Sequence, residues 1–480
     1  MRFPRAFRIG IGRTTLPMLA TCAVLLGVVQ PPTPAAAAAG AGVAPDPSPA
    51  PLELSLDRAR ELGLRNSELR RQTVAAIEGA EADRLRAGAD GLPQLELAGT
   101  YTRNLKKPAF FLPPELATGG PTKVEMGGDF GLEGALSLTL NLWTAGRLSA
   151  ARGAADEVLA ATRWQETVVT DAVRYSVDAA YFDVLLADLE VMIAERSLSD
   201  TEEAVRVTRA ELEQGTVSEF DLLRAQVELA NSQTPLITAR NSRDLALYAL
   251  RRLCGLDATV DVVLSDSLAG VAAPVAEPAL VDLMHRQSAE LRALEHTVAA
   301  RRQALRLAKA GRGPVVQLQG NYALQGQWDD DLLPGGDETA TSAGAALAVS
   351  VPIFDGFQAK GEIGRGRADL RAAELELERV TRDRELAVRQ ARLYLLNALA
   401  ALEGREEGVR LAAEAHRLAL VRFENGMATP LERLDAQLAL VQARVQYANT
   451  LHACKLAQSA LRLAVGADPA LAATNEEATE

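Results

Sequence analysis

The chain repeats itself at one fixed offset, and so long a repeat confines the fold to two copies of one plan. Moving the sequence by 211 residues lays Glu213-Gln214-Gly215 on Glu424-Asn425-Gly426 and Ala225-Gln226 on Ala436-Gln437. The same offset brings Leu229 onto Leu440 and Ala249-Leu250-Arg251 onto Ala460-Leu461-Arg462. Gly255 and Asp257 then fall on Gly466 and Asp468, and the register holds without a gap from Trp143/Phe354 onward. Solenoid units run to roughly 20–50 residues, so the repeat is a duplicated half-structure.

Both halves carry the same succession of patterns. Leu56 to about Ala87 and Pro278 to Ala310 each read as one helix, rich in Ala, Leu, Arg and Glu. Period-two alternation follows Pro93 and Pro314. Leu95, Leu97, Gly99 and Tyr101 form one apolar series, and Leu136, Leu138, Leu140 and Leu142 another. In the second half the series are Val316, Leu318, Tyr322 and Leu324, then Leu347, Val349, Val351 and Ile353. Strands are therefore expected at about 94–102, 132–142, 315–325 and 343–353. Pro93 to Trp143 is 50 positions and Pro314 to Phe354 is 40, so the first hairpin has the longer loop.

After each hairpin, apolar residues three and four apart predict a very long helix, Leu148 to about Leu212 and Lys360 to about Phe423. The apolar face is read as Val169, Val173, Ser176, Ala180 and Val184 in the first, and as Leu386, Arg389, Leu393, Leu396 and Ala400 in the second. Gly215 and Gly426 mark tight turns into return helices that end at Leu253 and Val465. Pro235 should kink the first return helix. The halves are thus 52–257 and 278–468, with a connection at 258–277 and a polar tail at 469–480.

Residues 1–39 read as a secretory signal: Arg2, Arg5, Arg8 and Arg13, an apolar run from Leu16 to Val29, and an Ala-rich cleavage zone at Ala35–Ala39. The run is too short for a membrane anchor and Pro17 interrupts it. Leu19-Ala20-Thr21-Cys22 is a poor lipidation signal, because Cys22 sits inside the apolar run. An Ala/Pro linker occupies 40–51. Loss of the signal removes four arginines and no acids, leaving 47 − 63 = −16 charges. That balance argues against nucleic acid as a partner. Cys254 and Cys454, the two remaining cysteines, do not make a disulfide framework and are expected as buried thiols. No segment after the signal has the ~20 apolar residues of a spanning helix, so any membrane role falls to strands.

Strands of about ten residues with one apolar and one polar face have the form of transmembrane β-barrel segments. Tyr101, Trp143, Tyr322 and Phe354 are candidate barrel-rim aromatics contacting outer-membrane lipid. Four strands cannot close, since the smallest such barrels have about eight. A dimer would supply eight strands and a trimer twelve, and spacing does not choose between them. The competing architecture is two soluble hairpins lying on a helical body.

The ordered set, occurring twice, resembles the TolC family of outer-membrane efflux proteins over about residues 52–466. Its landmarks are Val351-Pro352-Ile353-Phe354-Asp355-Gly356 after the last strand, Arg422-Phe423-Glu424-Asn425-Gly426, and Leu434-Asp435-Ala436-Gln437. The first half departs from this pattern, with Trp143-Thr144-Ala145-Gly146 at the strand-to-helix junction. The resemblance implies a mainly α protein with a β-barrel part: a homotrimer with a twelve-stranded outer-membrane barrel continued by a twelve-helix periplasmic tunnel. It implies a passive exit duct, docked to a periplasmic adaptor and driven by an inner-membrane transporter, for small-molecule efflux. Type I protein secretion is the alternative within the class, and a non-pore periplasmic coiled-coil scaffold the alternative outside it.

The same resemblance matches Glu432 and Asp435 to the acidic residues of the constricted periplasmic entrance. Three apart on a helix, they share a face, and three copies would form carboxylate rings favouring cations. Thr429-Pro430-Leu431-Glu432 is also a capping box, which accounts for Glu432 without a pore. The family's basic residue before this helix is Ala428 here, so the closed entrance must be held differently. Glu213, Gln214, Gly215 and Thr216, with Glu424, Asn425, Gly426 and Met427, are candidate adaptor-contact tips; ordinary helical hairpins need such residues too. His285, His296, His416 and His452 lack ligand spacing, and no nucleophile constellation is evident. No enzyme, metal or cofactor is expected.

Overall fold

The computed structural model describes residues 52–107, 109–111, 123–125, 127–268, 270, 276–329 and 332–467. The signal at 1–39, the linker at 40–51 and the tail at 469–480 lie outside the described residues. So do parts of the 258–277 connection and of the first hairpin loop.

A short strand β1 (Leu52–Leu54) leads into α1 (Leu56–Asn66) and α2 (Glu68–Ala89). The single helix expected here is two, and the break is chemical. Ser67 leaves helical geometry at ψ 120°, and its hydroxyl accepts from the Arg70 amide at 3.2 Å, capping α2. The first hairpin is β2 (Gln94–Arg103) and β5 (Phe130–Trp143), with the small strands β3 (Ala109–Phe111) and β4 (Lys123–Glu125) paired in its loop. Then come α3 (Arg147–Glu213) and the return helix α4 (Glu219–Cys254), which continues through Pro235.

The strand β6 (Val262–Leu264) lies in the connection and pairs in parallel with β1, a three-residue ladder too short to show as periodicity. In the second half α5 (Glu277–Gln287) and α6 (Ala289–Ala310) break at Ser288 as the first pair did at Ser67, where one helix was again expected. The second hairpin is β7 (Val315–Trp328) and β8 (Thr339–Ser350), followed by α7 (Gln358–Glu424) and α8 (Pro430–Val465). The last strand ends before Val351 and Ile353, which were expected within it. Pro352 has no amide to give the ladder.

Every helix boundary after the hairpins recurs at 211: α3 and α7 both have 67 residues, and α4 and α8 both have 36. Before the hairpins the offset is 221, as in Leu56 and Glu277, so the ten-residue difference lies wholly in the first hairpin loop.

The four long strands make one antiparallel sheet in the order β2-β5-β7-β8. The helices pack side by side. Towards the turns the row is α4-α3-α8-α7, and towards the sheet it is α2-α3-α6-α7. Two cores hold the row together near its middle. One gathers Val177, Tyr181, Val184, Leu250 and Val262, and the other Leu280, Met284, Val388, Leu395 and Leu461. Tyr181 is fully buried, and its hydroxyl donates to the Leu54 carbonyl at 2.9 Å and to Asp266 at 2.8 Å, tying β1 to α3.

On α7 the buried series is Val380, Val388, Ala391 and Leu395. The apolar series read from the sequence is bare, with Leu386 and Leu393 both more than half exposed. The helix has two apolar stripes, and one protomer covers only one of them.

Cys254 and Cys454 are free and buried. Burial pushes the Cys254 thiol up to about 11. At pH 8 it is protonated and shielded, so a maleimide should label the mature protein at this position only in denaturant. Rapid labelling of the native protein would contradict this packing.

Candidate functional site

The sheet sorts its side chains by face, mostly apolar on one side and polar or small on the other. Register places Leu97, Leu136, Tyr322 and Ala343 in one row, and Leu95, Leu138, Gly320 and Ala345 in the next. Alternate positions put Glu96, Ser137, Asn321 and Gly344 on the opposite face. The apolar face is open: Leu97 is 80% exposed and Leu347 63%. At the helix-bearing end, a register shift after Asn141 sets Trp143 opposite Val316, which brings it into the apolar rows.

At the loop end Tyr101, Phe130 and Trp328 pack together with centroids 6.1 Å apart. Tyr101 also donates to the Leu332 carbonyl at 2.7 Å. Phe130 and Trp328 lie outside the strands expected at 132–142 and 315–325, yet they are the first residue of β5 and the last of β7. Phe354 follows β8 and meets Phe357 edge-on at 5.7 Å. Tyr322 does not stand at a rim, since its row lies midway between the Val316 and Trp328 ends of β7. Alternation reports which face a residue is on and carries no information on height.

The strand-to-helix junctions explain the first half's departure from the family pattern. Asp355 accepts from the Ala359 amide at 2.8 Å and from the Phe357 amide at 3.0 Å, capping α7. At the equivalent place Thr144 accepts from the Leu148 amide at 3.2 Å. Each junction then passes through two left-handed residues: Ala145 and Gly146 in one half, Gly356 and Phe357 in the other. One glycine relieves one of the two positions in each case.

Both helical turns close the same way. The Thr216 amide donates to the Glu211 carbonyl and Gly215 to Leu212; Met427 donates to Arg422 and Gly426 to Phe423. Gly215 at φ 73° and Gly426 at φ 68° are the left-handed residues this closure requires. Glu213, Gln214, Gly215, Thr216, Glu424, Asn425, Gly426 and Met427 are all exposed.

Entry to the return helices differs between the halves. Ser218 and Asp221 form the complete reciprocal capping box. Thr429 accepts from the Glu432 amide at 3.2 Å, but the Glu432 carboxylate turns towards Arg422, 3.8 Å away. The expected box is therefore only half made. Asp435 is exposed and, among the described residues, forms no hydrogen bond or ion pair. Its repeat equivalent, 435 − 211 = 224, is the exposed Arg224, so the two return helices carry opposite charges at one position.

Between Glu432 and Asp435 lies a residue the sequence reading missed. Arg433 is buried against α3, its guanidinium 4.8 Å from the centre of the Phe423 ring. Desolvation pulls its pKa down against the fields of Glu211 and Glu203. Gln437, one turn on, is buried and donates to Thr201 Oγ1 at 3.1 Å. Only the long helical partner reveals this polar seam; local spacing does not.

Three histidines bridge helices: His296 to Glu157 at 2.7 Å, His452 to Asp183 at 2.8 Å, and His285 to Glu385 at 3.1 Å. Among the described residues no cluster of His, Cys, Asp or Glu could hold a metal ion, and no helix is long and apolar enough to cross a membrane.

Comparison with known proteins places this architecture. Residues 60–256 and 280–467 match the family described as Outer membrane efflux protein. Outer membrane protein OprJ of Pseudomonas aeruginosa is 26% identical over 399 residues, covering 80% of this chain and 78% of OprJ. The cation efflux system protein CusC of Escherichia coli O6:H1 is 23% identical over 414 residues, 82% of each chain. The crystal structure of the outer membrane protein VceC from Vibrio cholerae superposes with a TM-score of 0.71 at 20% identity, over 86% of this chain and 96% of VceC. The chain belongs to the outer membrane efflux protein family, the TolC family of channels that sit in the outer membrane and extend into the periplasm.

Proposed function

We propose that three copies of this chain close into one passive exit duct, linked by a periplasmic adaptor to an inner-membrane transporter that drives small-molecule efflux. One observation carries the reading: the four-stranded sheet bares an entire apolar face and leaves β2 and β8 as edges. Open edges are not viable in lipid, and 3 × 4 strands make a barrel of twelve.

The helical row points the same way. Its ends, α4 and α7, carry bare apolar residues, Phe220, Leu223 and Val227 on one and Leu411, Leu418 and Val421 on the other. Gln226 and Gln437 are repeat equivalents, yet Gln437 is buried on α3 and Gln226 is exposed. Since α3 and α7 are also equivalent, the α7 of a second copy is the natural cover for α4. The helical turns then mark the periplasmic end, where the adaptor meets residues 213–216 and 424–427.

Single-channel recording in a planar bilayer under a salt gradient tests the duct. Discrete cation-preferring steps are expected. Asp435→Ala should lower the K+/Cl− permeability ratio severalfold, because it takes three carboxylates from the entrance and leaves the cationic Arg224 in place. An unchanged ratio removes Asp435 from that role. Silence from both the native protein and a variant lacking Glu432 and Asp435 favours a scaffold without a pore.

A further inference from the structure

We infer that the barrel wall is itself a charge filter for cations, set by Glu96 and Glu133. The inference rests on the duct reading and adds to it a second selective zone, remote from the helical turns.

Register puts both carboxylates on the polar face. Glu96 shares its row with Ser137, Asn321 and Gly344, and Glu133 shares its row with Thr100, Gln325 and Ala340. Both are exposed, and among the described residues neither has an ion-pair or hydrogen-bond partner. The rest of that face is built from Gln, Asn, Ser, Thr, Ala and Gly, with Val315 at its end and no Lys, Arg or His. The one cation on the four strands of this sheet, Arg103, belongs to the other face, over the Phe130 ring at 5.5 Å.

Because the opposite face is apolar and must meet lipid, the polar face lines the lumen. There a trimer exposes 3 × 2 = 6 carboxylates and no compensating charge. Glu96 and Thr100, the partner of Glu133, are four residues apart on β2, about 13 Å along the strand. The Debye length is about 10 Å at 0.1 M salt, so the two levels act as one continuous negative stretch. Both acids come from the first hairpin. The second has no acid at the equivalent places: Gln317, which donates to Asn141 at 2.8 Å, stands for Glu96, and Gly344 for Glu133. The permeants this wall favours are cations, and those it retards are anions.

The test compares the native trimer with Glu96→Gln/Glu133→Gln in a planar bilayer under a tenfold KCl gradient. Near 0.1 M the double variant should show at least a threefold lower K+/Cl− ratio. The difference should shrink near 1 M, where the Debye length is about 3 Å. A second arm uses Glu133→Cys, since Cys254 and Cys454 are buried. An anionic methanethiosulfonate should restore cation preference and a cationic one should depress it further. Conducting channels whose ratio moves in neither arm overturn the filter while leaving the duct intact. Silence, persisting when Glu432 and Asp435 are also removed, overturns both.

Discussion

Replacing Leu136 with arginine should eliminate the assembled outer-membrane form. Leu136 lies in the middle of β5, between Leu97 on one side and Tyr322 on the other, in the heart of the apolar face. Arginine at the midplane of a lipid-facing barrel wall costs about 2–4 kcal/mol, and threefold repetition raises this to roughly 6–12 kcal/mol per trimer. The expected result is loss of the heat-sensitive oligomer from outer-membrane fractions. The neighbouring substitution Ser137→Arg is the control. It falls on the polar face opposite Glu96, so the oligomer should persist while its cation preference declines. Equal tolerance of both would mean that the two faces meet the same solvent, and the barrel would have to be abandoned.

The second large effect is expected at Asp178, in the helical middle. This carboxylate is 3% exposed and receives the Arg60 fork at 2.6 and 2.8 Å and the Ser459 hydroxyl at 3.0 Å. It therefore joins α1 and α8 to α3 from within. Its hydrogen bond holds the Arg60 guanidinium above its usual pKa. Asp178→Ala leaves the half-buried Arg60 beside a void with only the exposed Asp57, 3.0 Å away, as partner. Breaking a buried pair from one side costs about 3–5 kcal/mol, and the retained pair puts the expected loss at the lower end of that range. Denaturant unfolding followed by protease susceptibility should show a loss of that size. A change below about 1 kcal/mol would mean that water reaches the pair. The second half has no copy of this pair: at 178 + 211 stands Arg389, which donates to Glu277 at 3.1 Å.

Legibility tracked the range of the interactions concerned. The long helices were readable to within two residues at each end, because sixty positions of 3.6-residue periodicity outweigh local noise. The strands were readable through strict alternation, although one was carried past Pro352. Two kinds of feature failed: short local caps inside an otherwise helical pattern, and contacts whose partner lies far away in sequence. Ser67 and Ser288 look like ordinary helical residues until the fold bends there, and β1 finds β6 across more than two hundred positions. On α7 the spacing picks out Leu386 and Leu393, which are exposed, whereas a second stripe, Val388, Ala391 and Leu395, is buried. Near the start of α8 Glu432 and Asp435 could be singled out, but the buried Arg433 between them could not, because only α3 reveals its surroundings. Thr144 looked like a lost motif and turned out to preserve its capping bond.

The matched lengths of α3 with α7, and of α4 with α8, make the periplasmic reach of this molecule a stepped quantity. One inserted residue turns everything beyond it by about 100°, which would swing a packed stripe away from its neighbour. Seven residues restore the stripe after about 10 Å of added length. Even that change helps only if all four helices receive it at corresponding heights, since the row packs as one sheet of parallel cylinders. A relative spanning a wider gap between membranes should therefore differ by concerted insertions at four sites. A chimera that lengthens only one helical pair should assemble its strands and yet leave its turns at unequal depths.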